Sequence, residues 1–430
     1  MLRLLGLGFG LAIVVGGTTG TGILITPTEI AAAAGSPDRA LWYWLVGGLF
    51  TLLAAGQLAE LGTMLPQAGG WMGYAERAFG RYVGYVVGWS DWVSSCVTGA
   101  LVALLGADFL NQLLPAGWHL PPKLGALAVV AGFGVVQWRG LRDASRAQEL
   151  TSVLLGAVLT VVLLGSFLLM PSAPAAARVV PLAPVTAATA VTAFQAVVFA
   201  YDGWYAAIYF AEEDHNPARD LPRALLLGVG LILLTYLALN AELLRVLPFE
   251  QLTASSLPLA EVAARLAGPA GHAAALVLAL VALGGVLNSV LLMATRVLFA
   301  LSRDGLLSAR LSQVSAEGTP RPALAVALGV TVVLVLSGTA EQLLAITSIL
   351  FVAYYATGFA AVLVLRRREP HLPRPFRAWG YPFTTVLVLV GALAFLGANL
   401  VADPLSSLWA GFLLLVSYPA YRWVQRSRPQ

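Results

Sequence analysis

Twelve stretches of mainly apolar residues, joined by short polar connections, run through this sequence almost end to end. They extend approximately over 4–34, 41–65, 82–114, 124–138, 150–170, 185–211, 224–247, 272–301, 323–337, 343–365, 383–400 and 405–421. A bilayer span takes about 20 such residues as a helix, and in lipid only a helix or a closed barrel satisfies its own backbone polar groups. Runs of this length and continuity, without period-two alternation, predict an all-α polytopic membrane protein of about 12 transmembrane helices. Only 11% of the residues are charged, against roughly 25% in soluble domains. A single membrane domain over 1–430 is therefore expected, with no sizeable soluble part.

Basic residues near span ends favour the cytoplasmic side. With the N-terminus inside, nineteen of the 25 lysines and arginines fall on that side, Arg39, Lys123, Arg178, Arg245 and Arg265 on the other, and Arg296 within the eighth span. Both termini are expected to be cytoplasmic and the location an inner (cell) membrane. The net charge of +4 then reflects topology and anionic inner-leaflet lipid, and no nucleic-acid partner is inferred. The single cysteine, Cys96, lies in an apolar run and permits no internal disulfide. The apolar start after Arg3 lacks a small-residue cleavage site and reads as the first span.

Two spans carry interruptions. The first contains the run from Gly16 to Gly22, where each glycine costs about 1 kcal/mol relative to alanine inside a helix. The sixth contains Phe199, Ala200, Tyr201, Asp202, Gly203 and Trp204, and an intramembrane Asp marks a functional site by default. Five spans separate the breaks, so a second five-helix unit begins from the opposite side of the bilayer. That is an inverted repeat, with the binding site at the paired interruptions. The expected units are 1–171, 185–365 and two additional helices over 382–423.

Irregular backbone at membrane depth survives only where protein or a water-lined cavity satisfies it. The amides of Thr19, Gly20, Thr21 and Gly22 stand at the positive end of the following half-helix and suit a carboxylate. The carbonyls near Phe199, Ala200 and Asp202 end a half-helix and suit an ammonium. Together they read as a receptor for an α-amino acid. Isolated glycines such as Gly6, Gly10 and Gly47 read instead as helix-packing positions. For Asp202 three roles stay open: contact with the ligand amine, proton uptake, or capping of the second half of the sixth helix.

The segments GGTTGTGILITPTEIAAAAGSP, AELGTMLPQAGGWMGYAERAFG, FAYDGWYAAIYFAEEDHNPARDLPRAL and ATRVLFALSRDGLLS together resemble the amino acid–polyamine–organocation superfamily. The likeness is greatest to bacterial relatives of the L-type amino acid transporters, serine/threonine exchangers among them, and covers nearly the whole chain. It implies a five-plus-five inverted repeat with broken first and sixth helices and alternating access. By this resemblance Thr19, Gly20, Thr21 and Gly22 hold the substrate carboxylate and Ile23 follows as in the family pattern. Phe199 is the aromatic gate, Ala200 and Asp202 lie near the amine, and Trp204 lines the pocket. Tyr205 stands where many L-type relatives carry asparagine. Leu155 falls about where proton-coupled or exchanging relatives have a lysine in the fifth span, so the coupling ion, H+ or Na+, is left open and exchange is expected. No cysteine occurs between Leu113 and Lys123, where animal relatives bind a partner subunit, so none linked by a disulfide is expected.

The function implied is a permease or exchanger for a small neutral L-amino acid. The alternatives are a cationic amino acid or polyamine carrier, or a substrate-sensing receptor. With no P-loop, no metal-ligand spacing among the four histidines and Asp202 taken as the only carboxylate at the site, neither an enzyme, a cofactor nor a metal is expected. Asn288 and Ser289, deep in the eighth span, suit either a cation or water, or helix-to-helix hydrogen bonds. Glu60 and the cluster from Glu212 to Asp220 read as solvated charges, and Arg296 as a side chain that snorkels to the interface.

Overall fold

The apolar runs fold as helices. The computed structural model describes residues 3–115, 117–173, 186–402 and 404–426. Among them α1 spans Leu7–Thr18, α2 Thr21–Ala34, α3 Pro37–Met64, α4 Trp71–Phe79, α5 Arg81–Leu113, α6 Pro122–Arg139, α7 Leu141–Leu169 and α8 Ala187–Tyr201. Then come α9 Pro217–Val246, α10 Phe249–Ala254, α11 Pro258–Arg303, α12 Arg321–Ser337, α13 Ala340–Arg368, α14 Phe383–Ala402 and α15 Pro404–Arg426. Val185, the expected start of the second repeat, and Arg178 and Arg428 of the basic-residue tally lie outside the described residues.

Seven of these helices are long and apolar enough to cross a bilayer, and α1 with α2 makes an eighth as a pair bent by 44°. The other expected spans coincide with α6, α8, α12 and α15, which are shorter or on average less apolar. Position follows composition. The apolar stretches of α11 and α5 are 83% and 78% buried and form the centre, whereas those of α7 and α14 are 22% buried and present Leu and Val outward.

Three elements differ from expectation. The sixth span does not resume as an α-helix: α8 ends at Tyr201, residues 202–205 turn, and Ala206–Phe210 is a 3-10 segment. Gly203, at φ +97°, supplies a left-handed residue that breaks the helix at no steric cost. The eighth span is entered through a bend at Ala267 and Gly268 within α11. Between the second and third spans, where only a short polar connection was expected, α4 inserts Trp71 fully into the core.

The charges after the sixth span are not a solvated linker. Glu213 and Arg296 are both buried and pair through two bonds of 3.0 and 3.1 Å, with the guanidinium 5.1 Å from the Phe210 ring. Arg296 therefore does not snorkel. The amides of Leu4 and Leu5 donate to the Glu213 carbonyl, and the His215 amide donates back to Leu5. Beside this clip Arg303 donates to Glu212 at 2.6 Å. Glu60, taken from sequence as a solvated charge, is likewise buried, bonded by Arg366 Nε at 2.7 Å and by the Ala378 amide at 2.7 Å. The N-terminal face of the molecule is thus closed by desolvated ion pairs.

Removing one partner of a buried pair strands a charge and costs about 3–5 kcal/mol, whereas an exposed pair contributes about 0–1 kcal/mol. Arg296→Leu should accordingly lower the melting midpoint of the detergent-purified protein markedly, Arg303→Ala should lower it little, and Glu213→Leu added to Arg296→Leu should recover part of the loss.

Candidate functional site

The two interruptions meet backbone to backbone. A Cβ on Gly22 would lie 2.5 Å from the Ala200 Cα and 2.8 Å from its carbonyl oxygen. One on Gly203 would overlap the Gly17 carbonyl. Each break therefore rests on the other, and glycine is required by close approach. Neither Gly20 nor Gly22 has a positive φ; Gly20 faces Val286 of α11 instead. From α9 the Tyr236 hydroxyl reaches the carbonyl oxygens of Thr18 and Ala200, 3.1 Å from each. It ties the end of α1 to the end of α8.

These hydrogen bonds narrow the anion-binding set. The Thr19 amide donates to Val15 and the Gly20 amide to Thr18, so both are engaged. Thr21, Gly22 and Ile23 form the first turn of α2, whose amides have no acceptor within the helix. At the sixth span the Asp202 amide takes up the Phe199 carbonyl at 3.1 Å, leaving that oxygen one further lone pair. Asp202 is the C-cap residue of α8 and does not cap a second α-helix, since a 3-10 segment whose N-cap is Tyr205 follows instead. Its carboxylate accepts from the Tyr355 hydroxyl of α13.

Between the breaks lies a cavity of about 30 Å³ lined by backbone and side chains of Gly17, Thr18, Gly22, Phe199, Asp202, Gly203 and Tyr205, room for one or two water molecules. α11 contributes Val286, Ser289, Val290 and Met293, and α5 contributes Ser94, Ser95 and Thr98. The α5 hydroxyls were missed from sequence, because serine and threonine are common in membrane helices and nothing in their spacing singles them out. Of the expected residues, Thr19, Gly20, Ile23, Ala200, Trp204 and Asn288 do not line the cavity, and the side chain of Thr21 lies outside the described residues. Ala200 carries the backbone crossing, and Ile23 is buried in the core behind it.

Trp204 instead packs edge-on against Trp71 and Tyr205, with ring centroids 6.2 and 5.6 Å apart. Tyr354 and Tyr355 complete this aromatic plug, and the hydroxyls of Tyr205 and Tyr354 are 2.8 Å apart. Asn288 belongs to a structural network. It donates to Gln148 and the Ala144 carbonyl and accepts from Gln137, while Ser152 of α7 donates to the Ala12 carbonyl at 2.7 Å. The fifth span thus reaches the first helix through a neutral hydroxyl. Ser289 lines the cavity with its Oγ 3.6 Å from Met293 Sδ.

The sequence matches the family described as amino acid permease over residues 10–420. This chain belongs to the amino acid permease family. It is 28% identical to the serine/threonine exchanger SteT of Bacillus subtilis, over 99% of this chain and 97% of that protein. It is 26% identical to the mouse b(0,+)-type amino acid transporter 1, over 99% and 90% respectively. To the human Asc-type amino acid transporter 1 it is 28% identical over 85% of this chain and 72% of the other. The family and these relatives are transporters rather than enzymes.

Tyr236→Phe leaves two buried carbonyls without their shared donor, at about 1–3 kcal/mol. It should lower thermal stability and reduce uptake in proteoliposomes. Gly47, read from sequence as a tolerant packing position, packs directly on Val197, which a Cβ there would overlap. Gly47→Ala should therefore also impair the protein, whereas Gly56→Ala, with nothing within 4 Å of its Cβ, should leave melting and uptake unchanged.

Proposed function

We propose that the chain is a secondary transporter that moves a small neutral L-amino acid across the inner membrane by alternating access, with both termini cytoplasmic. The observation that carries this reading is the meeting of two half-helix ends at one cavity: Gly22 in the first turn of α2, and Phe199 and Asp202 at the end of α8. An α-carboxylate satisfies the first and an α-ammonium the second. Thr21, Gly22 and Ile23 hold the carboxylate through backbone, and Phe199 closes over the ligand. The inverted-repeat division at 1–171, 185–365 and 382–423 accounts for the mutual packing of the two breaks.

The side-chain end of the cavity supports the substrate class. Ser94, Ser95, Thr98 and Ser289 offer hydroxyls beside Val286, Val290 and Met293, a lining for a short side chain that is apolar or carries one hydroxyl. Among the described lining residues Asp202 is the only carboxylate, and it is held by Tyr355. At about 30 Å³ the closed cavity must widen to admit even alanine, and the partly buried Phe199 is the side chain placed to yield. Because the fifth span meets the first helix through Ser152 and no basic residue, we infer exchange as the favoured mode.

In proteoliposomes, alanine, serine and threonine should displace labelled substrate, while arginine and spermidine should not. Displacement by the cations alone would assign Asp202 to an additional positive charge and overturn the neutral reading. Preloading the vesicles with unlabelled substrate should raise initial uptake severalfold; equal rates from empty vesicles would exclude exchange.

A further inference from the structure

A second intramembrane carboxylate, passed over in the sequence reading, lies in the middle of α5. Asp91 is fully buried, flanked by Trp89 and Trp92 on the chain, and sits one helical turn from Ser94 and Ser95 of the cavity wall. Its only hydrogen-bond partner among the described residues is the Tyr209 hydroxyl, 2.9 Å from Oδ1 and 2.8 Å from Oδ2. A phenol has one proton, so it serves a charged carboxylate at most with a single bond divided between the two oxygens. A carboxyl that itself carries a proton can donate back, and the two short contacts then form a reciprocal pair.

Among the described residues no cation is paired with Asp91. The titratable groups Asp91 faces are Tyr209 and, through space, Asp202, Tyr205 and Tyr354. On α13, Tyr355 is turned to Asp202, and Arg366, Arg367 and Arg368 stand in the last turn. On α11, Arg296 is held by Glu213 through two bonds. The charges of α6 and α12, Lys123, Arg139 and Arg321, are confined to helix ends, and α4 brings Glu76 and Arg77 at its far end. α15 brings Tyr418 and Tyr421, which meet Tyr82 and Tyr85, and Arg422 in its last turns. An unpaired carboxylate in such surroundings carries the desolvation cost of an isolated ion.

We propose that Asp91 is a proton-binding site of the carrier, occupied while the cavity is closed and linked through Tyr209 to the turn that bears Asp202 and Tyr205. Tyr209 stands on the 3-10 segment Ala206–Phe210 that follows the break, and its ring lies 6.1 Å from that of Tyr205. When water enters, the carboxylate is hydrated and charged. When the site closes, one proton from water neutralises it, and the charge at Asp91 goes from −1 to zero. Each closure, in either direction of exchange, then takes up one proton. The inference rests on the transport reading for its consequence but not for the proton itself.

The test uses the full-length protein. Infrared difference spectra of the wild type against Asp91→Asn should show a protonated-carboxyl stretch at neutral pH that the variant lacks. Tyr209→Phe, which keeps the carboxyl, should shift that band because the reciprocal bond is lost. Absence of the band, or its persistence in Asp91→Asn, overturns the proposal whatever the substrate. In proteoliposomes at equal pH on both sides, wild-type exchange of serine or alanine should fall about tenfold per pH unit on the alkaline limb, as one titrating proton demands. Exchange by Asp91→Asn should stay flat near the wild-type acid plateau. Should that variant fail to fold, the shifted midpoint of Tyr209→Phe carries the same decision, and a profile unchanged from wild type overturns it. Failure of any amino acid to bind, with the infrared band present, would count against the transport reading alone.

Discussion

Backbone that leaves the helix inside a membrane must find partners at once, and in this protein two such departures supply each other. Gly22 lies on the backbone of Ala200, Gly203 lies on that of Gly17, and the Tyr236 hydroxyl spans the two helix ends. No side chain separates the crossing segments, so a shift in one is felt by the other. The unspent polar capacity left after this mutual satisfaction, chiefly the first-turn amides of α2, is what remains for a ligand. In the proposed reading, the binding chemistry follows from the requirement that the fold meets first.

Around that crossing the molecule is graded in polarity with depth. Hydroxyls of α5 and α11 surround the cavity, an aromatic plug built on Trp71, Trp204, Tyr205, Tyr354 and Tyr355 lies beside it, and buried ion pairs close the N-terminal face. Along α11 the order is direct: Ser289 and Met293 at the cavity, Arg296 one turn on, Arg303 at the helix end. One element thus joins the ligand space to the ion-paired closure.

Much of this was legible in the residues. The apolar runs gave the helices, and the glycine run and Asp202 located both breaks, because a membrane span departs from helix-forming residues only under constraint. The pairing of charges was not legible. Glu213 and Arg296 are 83 positions apart, and Glu213 stands in a charged stretch that looks solvated along the chain. Asp91 was overlooked within a tryptophan-rich helix although the same intramembrane-charge argument applied to it. The second half of the sixth span kept an apolar composition yet formed a 3-10 segment, since aromatic packing around Tyr205 and Tyr209 outweighed local preference. Which amides of the glycine run stay free depended on a turn geometry that composition does not encode.

The glycine contacts also divide the molecule mechanically. Gly10 packs on Ala224, Gly228 on Val14, Gly48 on Leu233 and Tyr201, Gly47 on Val197, and Gly22 on Ala200. These contacts bind α1, α2, α3, α8 and α9 at separations too small for one helix to slide past its neighbour without steric overlap. They would move as a single rigid body. α11 joins the same body, since Gly285 packs on the Gly16 carbonyl and Ser289 on Gly17, whereas among the described residues no glycine contact ties α5 to α1, α2, α3, α8 or α9. A rocking motion would therefore run along the seam between those glycine-locked helices and the α5 wall of the cavity.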